Sequence, residues 1–295
     1  MRNHLILLAW FVTFLPAIVF PQGLLKLSSP MRVISYNIRY DNPGDGPNNW
    51  DNRKEKVVSV LALHRPDIFC LQEALVHQLE YIDEAFPSFA YYGIGRDDGM
   101  EAGEFAPVFF DTNRFNPEDQ GTFWLSETPE RDGSKSWYAG HTRIVSWIKL
   151  VDRNLGSSFY VFNTHFDHAS QHAREQSAIL LRKKIRQIAG GYPVILAGDF
   201  NTRQGSEAYN TLVGEEAPNV FSNAMEISKA PHHGPACSFV GFDFISVPGR
   251  IIDFIFVNPQ VEVLRHAILT DNWDGVYPSD HLPVLVDIEL NQKSK

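Results

Sequence analysis

The sequence predicts an α/β layered sandwich, in which mixed sheets are covered by helices. Three observations lead there. Strand–helix–strand units fill the front of the chain, hairpin-like strand pairs lie behind them, and 21 of the 295 residues are Phe, a composition that suits a sheet-rich core. No repeat at a fixed period, low-complexity tract or Pro/Gly/Ser-rich linker divides the chain, so one domain is expected over residues 31–290.

The elements follow in order. Residues 31–39, "MRVISYNIR", alternate with the period of a strand and run into the turn-rich "DNPGDGPNN". Residues 53–64 carry Val57, Val58, Val60, Leu61 and Leu63, a well-buried helix. Residues 67–71 form a short apolar strand ending at Gln72 and Glu73, and residues 76–86 a helix stopped by Pro87. Further strands are expected at 105–110, 121–125, 143–150 and 159–163. The helix at 171–189 shows an apolar stripe of Ala178, Leu181, Ile185 and Ile188, and Gly190-Gly191 ends it. A strand at 194–197 follows, then Ser206 as the N-cap of a short helix. Strands at 251–257, 261–269 and 282–290 complete the chain.

The N-terminus reads differently. "MRNHLILLAWFVTFLPAIVFPQG" has a basic start, an apolar run over residues 5–20 and a Pro/Gly break, the pattern of a secretory signal peptide over residues 1–23. Its length leaves an uncleaved membrane anchor as the alternative. Export would permit disulfides, yet the only cysteines are Cys70 and Cys237, which read as small buried residues, and no metal-ligand Cys spacing exists. The net charge is −9, from 35 acids against 26 bases. That balance argues against a protein that tracks duplex nucleic acid, which needs a basic face.

The chemistry gathers at strand ends. The first strand ends at Asn37, the second at Glu73, a later one at His165 in "VFNTHFDH", and another at Asp199 and Asn201 in "VILAGDFN". "RIIDFIFV" places Asp253 among Ile and Phe, where a carboxylate needs a partner. "YPSDHLPV" places Asp280 and His281 just before the last strand. Strand ends at one sheet edge form the usual ligand crevice of α/β folds. Each residue has a plainer reading as turn former, helix-end acid or edge histidine, but together they supply one reaction. Glu73, Asn37 and Asp280 suit a hard divalent cation. Asp199 can orient a water, Asn201 and His165 can donate to phosphate oxygens, and Asp253 can hold His281 in one tautomer. A serine-hydrolase reading fails for want of a G-x-S-x-G elbow.

These motifs, "SYNIR", "LQE", "NTHFDH", "GDFN", "IDFIFV" and "SDHLPV", resemble in content and order those of the endonuclease/exonuclease/phosphatase superfamily, with the pancreatic-deoxyribonuclease fold. The resemblance implies a four-layer α/β/β/α sandwich, a Mg²⁺ or Mn²⁺ requirement and hydrolysis of phosphate esters. By motif position Asn37, Glu73 and Asp280 would hold the metal, Asp199 would act on the water and Asn201 on the phosphate. His165 and the His281–Asp253 pair would stabilise charge. Arg143 in "HTRIVSW" looks like the family's phosphate-contacting Arg, and Glu104 falls where the family often has a further polar site residue. The motifs do not name the substrate. Acidity and the export signal favour small, lipid-linked or sugar phosphates and a monomer. An extracellular nuclease is the alternative, and a catalytically inactive binding domain a third reading. Trp124, Trp137 and Trp273 are expected in loops that could border the cleft, where Trp273 could stack a base, a sugar or an inositol ring, but core or loop packing is the favoured reading of each.

Overall fold

The computed structural model describes residues 30–214, 220–243 and 249–291. The segment read as a signal peptide or anchor lies outside the described residues. Among those residues no helix is long and apolar enough to cross a membrane.

Two six-stranded sheets stack on each other. The first runs β11 (Val261–Ile268), β12 (Val284–Leu290), β1 (Met31–Asn37), β2 (Ile68–Gln72), β4 (Val108–Asp111) and β3 (Phe89–Tyr92). The second runs β5 (Phe115–Trp124), β6 (Ile144–Asp152), β7 (Ser157–His165), β8 (Val194–Asp199), β10 (Asp253–Val257) and β9 (Ser222–Asn223). Helices α1 (Trp50–His64) and α2 (Val76–Ala85) cover the first sheet. Helices α3 (Gln171–Ala189) and α4 (Glu207–Val213) cover the second, and the short α5 (Ala224–Ile227) follows β9.

Side-chain alternation builds the layers. Ile34 and Tyr36 of β1, and Phe69 and Leu71 of β2, point to α1 and α2. Their neighbours Val33, Ile68 and Cys70 point the other way, into a core shared with Ile148, Val161 and Ile195 of the second sheet. Leu196, Phe254 and Phe256 then face Leu181 and Ile185 of α3. Each such side chain contributes roughly 1.5–3 kcal/mol on leaving water. Cys70 and Cys237 are both buried in the core between the sheets, where they fill space as small apolar residues. The α3 stripe forms as its periodicity predicts: Ser170 caps it by accepting from the Ala173 N–H at 3.1 Å, and Gly190 leaves it at φ 53°.

The expected elements are all present, with shifted ends. The strand expected at 121–125 begins at Phe115, because "NPEDQG" reads as a turn but lies on an edge strand. A register shift between Pro117 and Asp119 absorbs the proline there. The strand placed at 105–110 starts only at Val108, with Phe105 reduced to an isolated bridge to Ala74. Strands β3 and β9 and a 3₁₀ segment at Pro43–Asn48 come in addition.

Topology then positions the site. The parallel pairs β1/β2 and β7/β8 bring Asn37 beside Gln72 and His165 beside Asp199 at one edge. Antiparallel β10 begins at that same edge, with Asp253 opposite Asp199.

Candidate active site

Asp199, 1% exposed at the end of β8, is the hub. Its Oδ2 accepts from Asn37 Nδ2 at 3.0 Å and its Oδ1 from the Asn201 N–H at 2.9 Å. The Asn37 amide also donates to Glu73 Oε1 at 3.0 Å, so one side chain ties the ends of β1, β2 and β8 together. Its oxygen is taken up by the Arg39 N–H at 3.0 Å, which makes Asn37 a donor to the acids in this arrangement. The glycine before Asp199 is required by proximity: a Cβ on Gly198 would stand 2.2 Å from the Thr164 carbonyl oxygen. That close approach of β7 and β8 is what sets His165 next to Asp199. Three residues of the cleft, Arg39 (φ 59°), Glu73 (φ 64°) and Asn201 (φ 46°), hold left-handed backbone, which costs L-residues energy and clusters at functional sites.

Asp253 finds the partner its apolar strand demanded. His281 Nδ1 lies 2.9 Å from its Oδ2 and 3.1 Å from its Oδ1, and both residues are buried. Burial alone would lower His281, but Asp253 and Asp199 outweigh it and raise the imidazole to about 10, so it is a cation at neutral pH. Its Nε2 faces Asp199 Oδ2 at 3.7 Å. Burial, and then the charge of Asp253, lifts Asp199 itself to about 7.

His165 has the opposite state. Burial and then Arg143 hold it well below the usual imidazole range. Arg143 Nη1 donates to its Nδ1 at 2.7 Å, so the ring is neutral and carries its proton on Nε2. That N–H points to Asp199 Oδ2 at 3.4 Å, and the Asn201 Nδ2 group, 3.0 Å away, donates instead to the Phe166 carbonyl. Arg143 is buried and also pairs with Glu104 at 3.3 Å, which binds Arg96 as well.

These groups line a cleft of about 680 Å³. All the residues expected from sequence meet there, except that Asn37 and Asp253 stand directly behind its wall. Arg39, Arg96, His141, His168 and Arg250 line it too and were not anticipated, although Arg39, His141 and His168 fall inside motifs already quoted. None of the three tryptophans lines it, in keeping with the packing reading. Trp124 is in β5, buried, and donates to the Arg96 carbonyl at 2.7 Å. Trp273 is exposed and pairs with Val276 in a tight turn. The aromatic lining is instead Tyr40 and Phe239. Fully buried Arg53 of α1 also went unanticipated. Its guanidinium donates to the carbonyls of Ile38 and Pro278 (2.7 Å each) and of Arg39 (3.2 Å), bracing the two segments that carry Arg39 and Asp280.

The cleft holds a donor set that fits a hard cation. Atoms of Glu73, His165 and Asp199 lie within 4.8 Å of one another, and so do those of Asp199, Asp253 and His281, though the latter three are already occupied as an ion-paired chain. Asp280 is raised by burial, with His281 opposing and the negative Glu73 adding to the rise. Asp199 and Asp280 are both raised by burial, and a divalent ion is what neutralises carboxylates held in that state.

Two stacked mixed sheets covered by helices, with acids, imidazoles and amides gathered at one edge, define the class: a four-layer sandwich with its reactive groups at the strand ends. The chain belongs to the Endonuclease/Exonuclease/phosphatase family, which it matches over residues 34–281. It is similar to the family's protein of known structure from Bacteroides vulgatus (39% identity, 89% of this chain and 99% of that one, TM-score 0.84). It is also similar to a mannosyl-6-phosphatase of Bacteroides thetaiotaomicron (35% identity, 88% of this chain and 100% of that one, TM-score 0.82). Drosophila melanogaster nocturnin is 26% identical over 280 residues, covering 82% of this chain and 42% of that protein. The chain spans 42% to 59% of the length of the first curated relatives it matches. Members of this family are phosphoester hydrolases.

Proposed function

We propose that this protein is a divalent-metal-dependent phosphomonoesterase for sugar phosphates. The observation that carries the reading is the cleft itself, where buried Asp199, His165 and His281 face a wall of arginines inside a pit of about 680 Å³. A pit of that size suits a small phosphate ester. The net charge of −9 disfavours nucleic acid, and the 35% identical mannosyl-6-phosphatase supports a sugar leaving group.

Glu73 and Asp280, with the Asn37 amide beside them, would hold the metal, which supplies Lewis acidity and neutralises charge on the phosphoryl group; Mg²⁺ or Mn²⁺ suits oxygen donors. The chain's own groups do the rest. Asp199, raised toward neutrality, accepts a proton from the attacking water. His281, cationic against Asp253, and neutral His165 donate their Nε2–H groups to phosphate oxygens, and the Asn201 amide adds a further donor. Arg143 contributes fixed positive charge behind them. The apolar N-terminal run supports export of the protein, and the acidic composition supports a monomer.

The purified chain should hydrolyse mannose 6-phosphate in Mg²⁺ or Mn²⁺, fall to background in EDTA and recover when the metal is restored. Lipid phosphodiesters and plasmid DNA are assayed in parallel. Full activity after exhaustive chelation, or faster cleavage of DNA than of the monoester, would overturn the reading.

A further inference from the structure

A second hollow, of about 410 Å³, opens beside the cleft and shares Asn201, Arg250 and Ile252 with it. The mechanism makes no use of its other walls. They come from the start of α3 and the loop into α4 and include Gln171, Glu175, Thr202, Arg203, Ser206 and Glu207. Their chemistry differs from that of the cleft. Glu175 accepts from the Gln171 amide at 2.8 Å, and the Thr202 and Ser206 hydroxyls share a hydrogen bond of 2.6 Å. Arg174 is committed to the carbonyls of Asp167 and His168. The lining therefore mixes donors with acceptors, and two acids with three arginines.

That mixture selects the occupant. A second phosphate would meet the carboxylates of Glu175 and Glu207, and an apolar group would leave a polar lining unsatisfied. Hydroxyl groups, which donate and accept at once, satisfy both kinds of wall. The neck between the hollows is also shaped. Arg250 lies 4.2 Å above the Phe239 ring, which packs edge-on against His281 at 4.8 Å. The Arg250 guanidinium therefore stands where the two hollows meet, one ring away from His281.

We propose that the second hollow is a subsite for a second sugar unit, joined glycosidically to the phosphorylated one, so that the preferred substrate is a phosphorylated oligosaccharide. The inference rests on the sugar-phosphate reading of the cleft. Its test compares kcat/KM for mannose 6-phosphate with that for a mannobiose 6-phosphorylated on its non-reducing unit. The disaccharide should be preferred by roughly tenfold, the worth of about two net hydrogen bonds. Glu207→Gln and Arg203→Ala, both exposed and outside the catalytic group, should each lower that preference by about threefold or more while leaving mannose 6-phosphate turnover unchanged. Equal kcat/KM for the two compounds, or variants that slow both equally, would overturn the subsite while leaving the cleft's function standing. A preference for a bisphosphorylated monosaccharide over the disaccharide would replace it with an anion site. Hydrolysis of neither compound would overturn the sugar-phosphate reading and the subsite with it.

Discussion

Two buried histidines, each in a hydrogen-bonded pair, differ in charge: one is a cation at neutral pH and the other is neutral. His281 is 5% exposed and pairs with Asp253 at 2.9 Å; His266, on β11, is 4% exposed and meets His232 Nδ1 with its own Nδ1 at 2.9 Å. Burial pushes both imidazoles toward the neutral form. Two carboxylates reverse that for His281 and raise it to about 10, whereas His266, facing another imidazole, falls to about 3. Depth in the fold therefore says nothing about a histidine's role. The partner decides, and only the carboxylate-paired ring reaches the cleft.

The comparison breaks most visibly at the carboxylate that His281 and His165 share. Asp199→Asn keeps the size of the side chain and removes the proton acceptor, so kcat should fall by about 10²–10⁴-fold with the fold intact. Steady-state rates and a thermal melt check this. A loss below tenfold would move the handling of the water to another group.

A smaller effect sharpens the pair itself. His281→Ala should cost about 10²–10³-fold in kcat, and Asp253→Asn somewhat less, since the ring then stays in place but loses its charge. Because each change disables the same donor, the double mutant should be little worse than His281→Ala. Additive losses in the cycle would show that the two residues act separately. His266→Gln, by contrast, should leave kcat/KM for the phosphoester within about twofold, the behaviour of a change remote from the chemistry.

The contrast also marks what the sequence could show. Asp253 in "IIDFIFV" was legible because a carboxylate in an apolar strand requires a partner, and short side chains at strand ends are placed by the strand's own geometry. His165, Asp199, Asn201 and Glu73 were legible for that reason. Arg39, Arg96 and Arg250 were not, because a long side chain reaches the cleft from loops whose course depends on tertiary packing. The start of β5 was misplaced for a backbone reason: this edge strand tolerates a proline and a glycine that in isolation signal a turn. The His232–His266 pair joins a loop to a strand more than thirty residues on, and no local pattern announces it.

The smallest expected effect is on stability, and it tests the other half of the comparison. His232 Nε2 donates to the Pro235 carbonyl at 3.3 Å, so in the neutral ring its Nδ1 accepts and His266 Nδ1 donates. Folding disfavours protonation of His266, which burial and then His232 depress to about 3. Below its unfolded value of about 6.5 the unfolded chain takes up a proton that the folded chain refuses, so stability falls as pH drops from about 6.5 toward 3. His281 acts in the reverse sense: its contribution is complete below about 6.5 and is lost as pH rises through about 10. Between pH 7 and pH 5 the His266 contribution amounts to roughly 2 kcal/mol. Urea titrations of the wild type and His266→Gln at both pH values should therefore show the variant losing about 2 kcal/mol less on acidification, whatever the substitution costs at pH 7. An identical loss in both proteins would mean that His266 is not held neutral, and the partner rule would then fail at this pair.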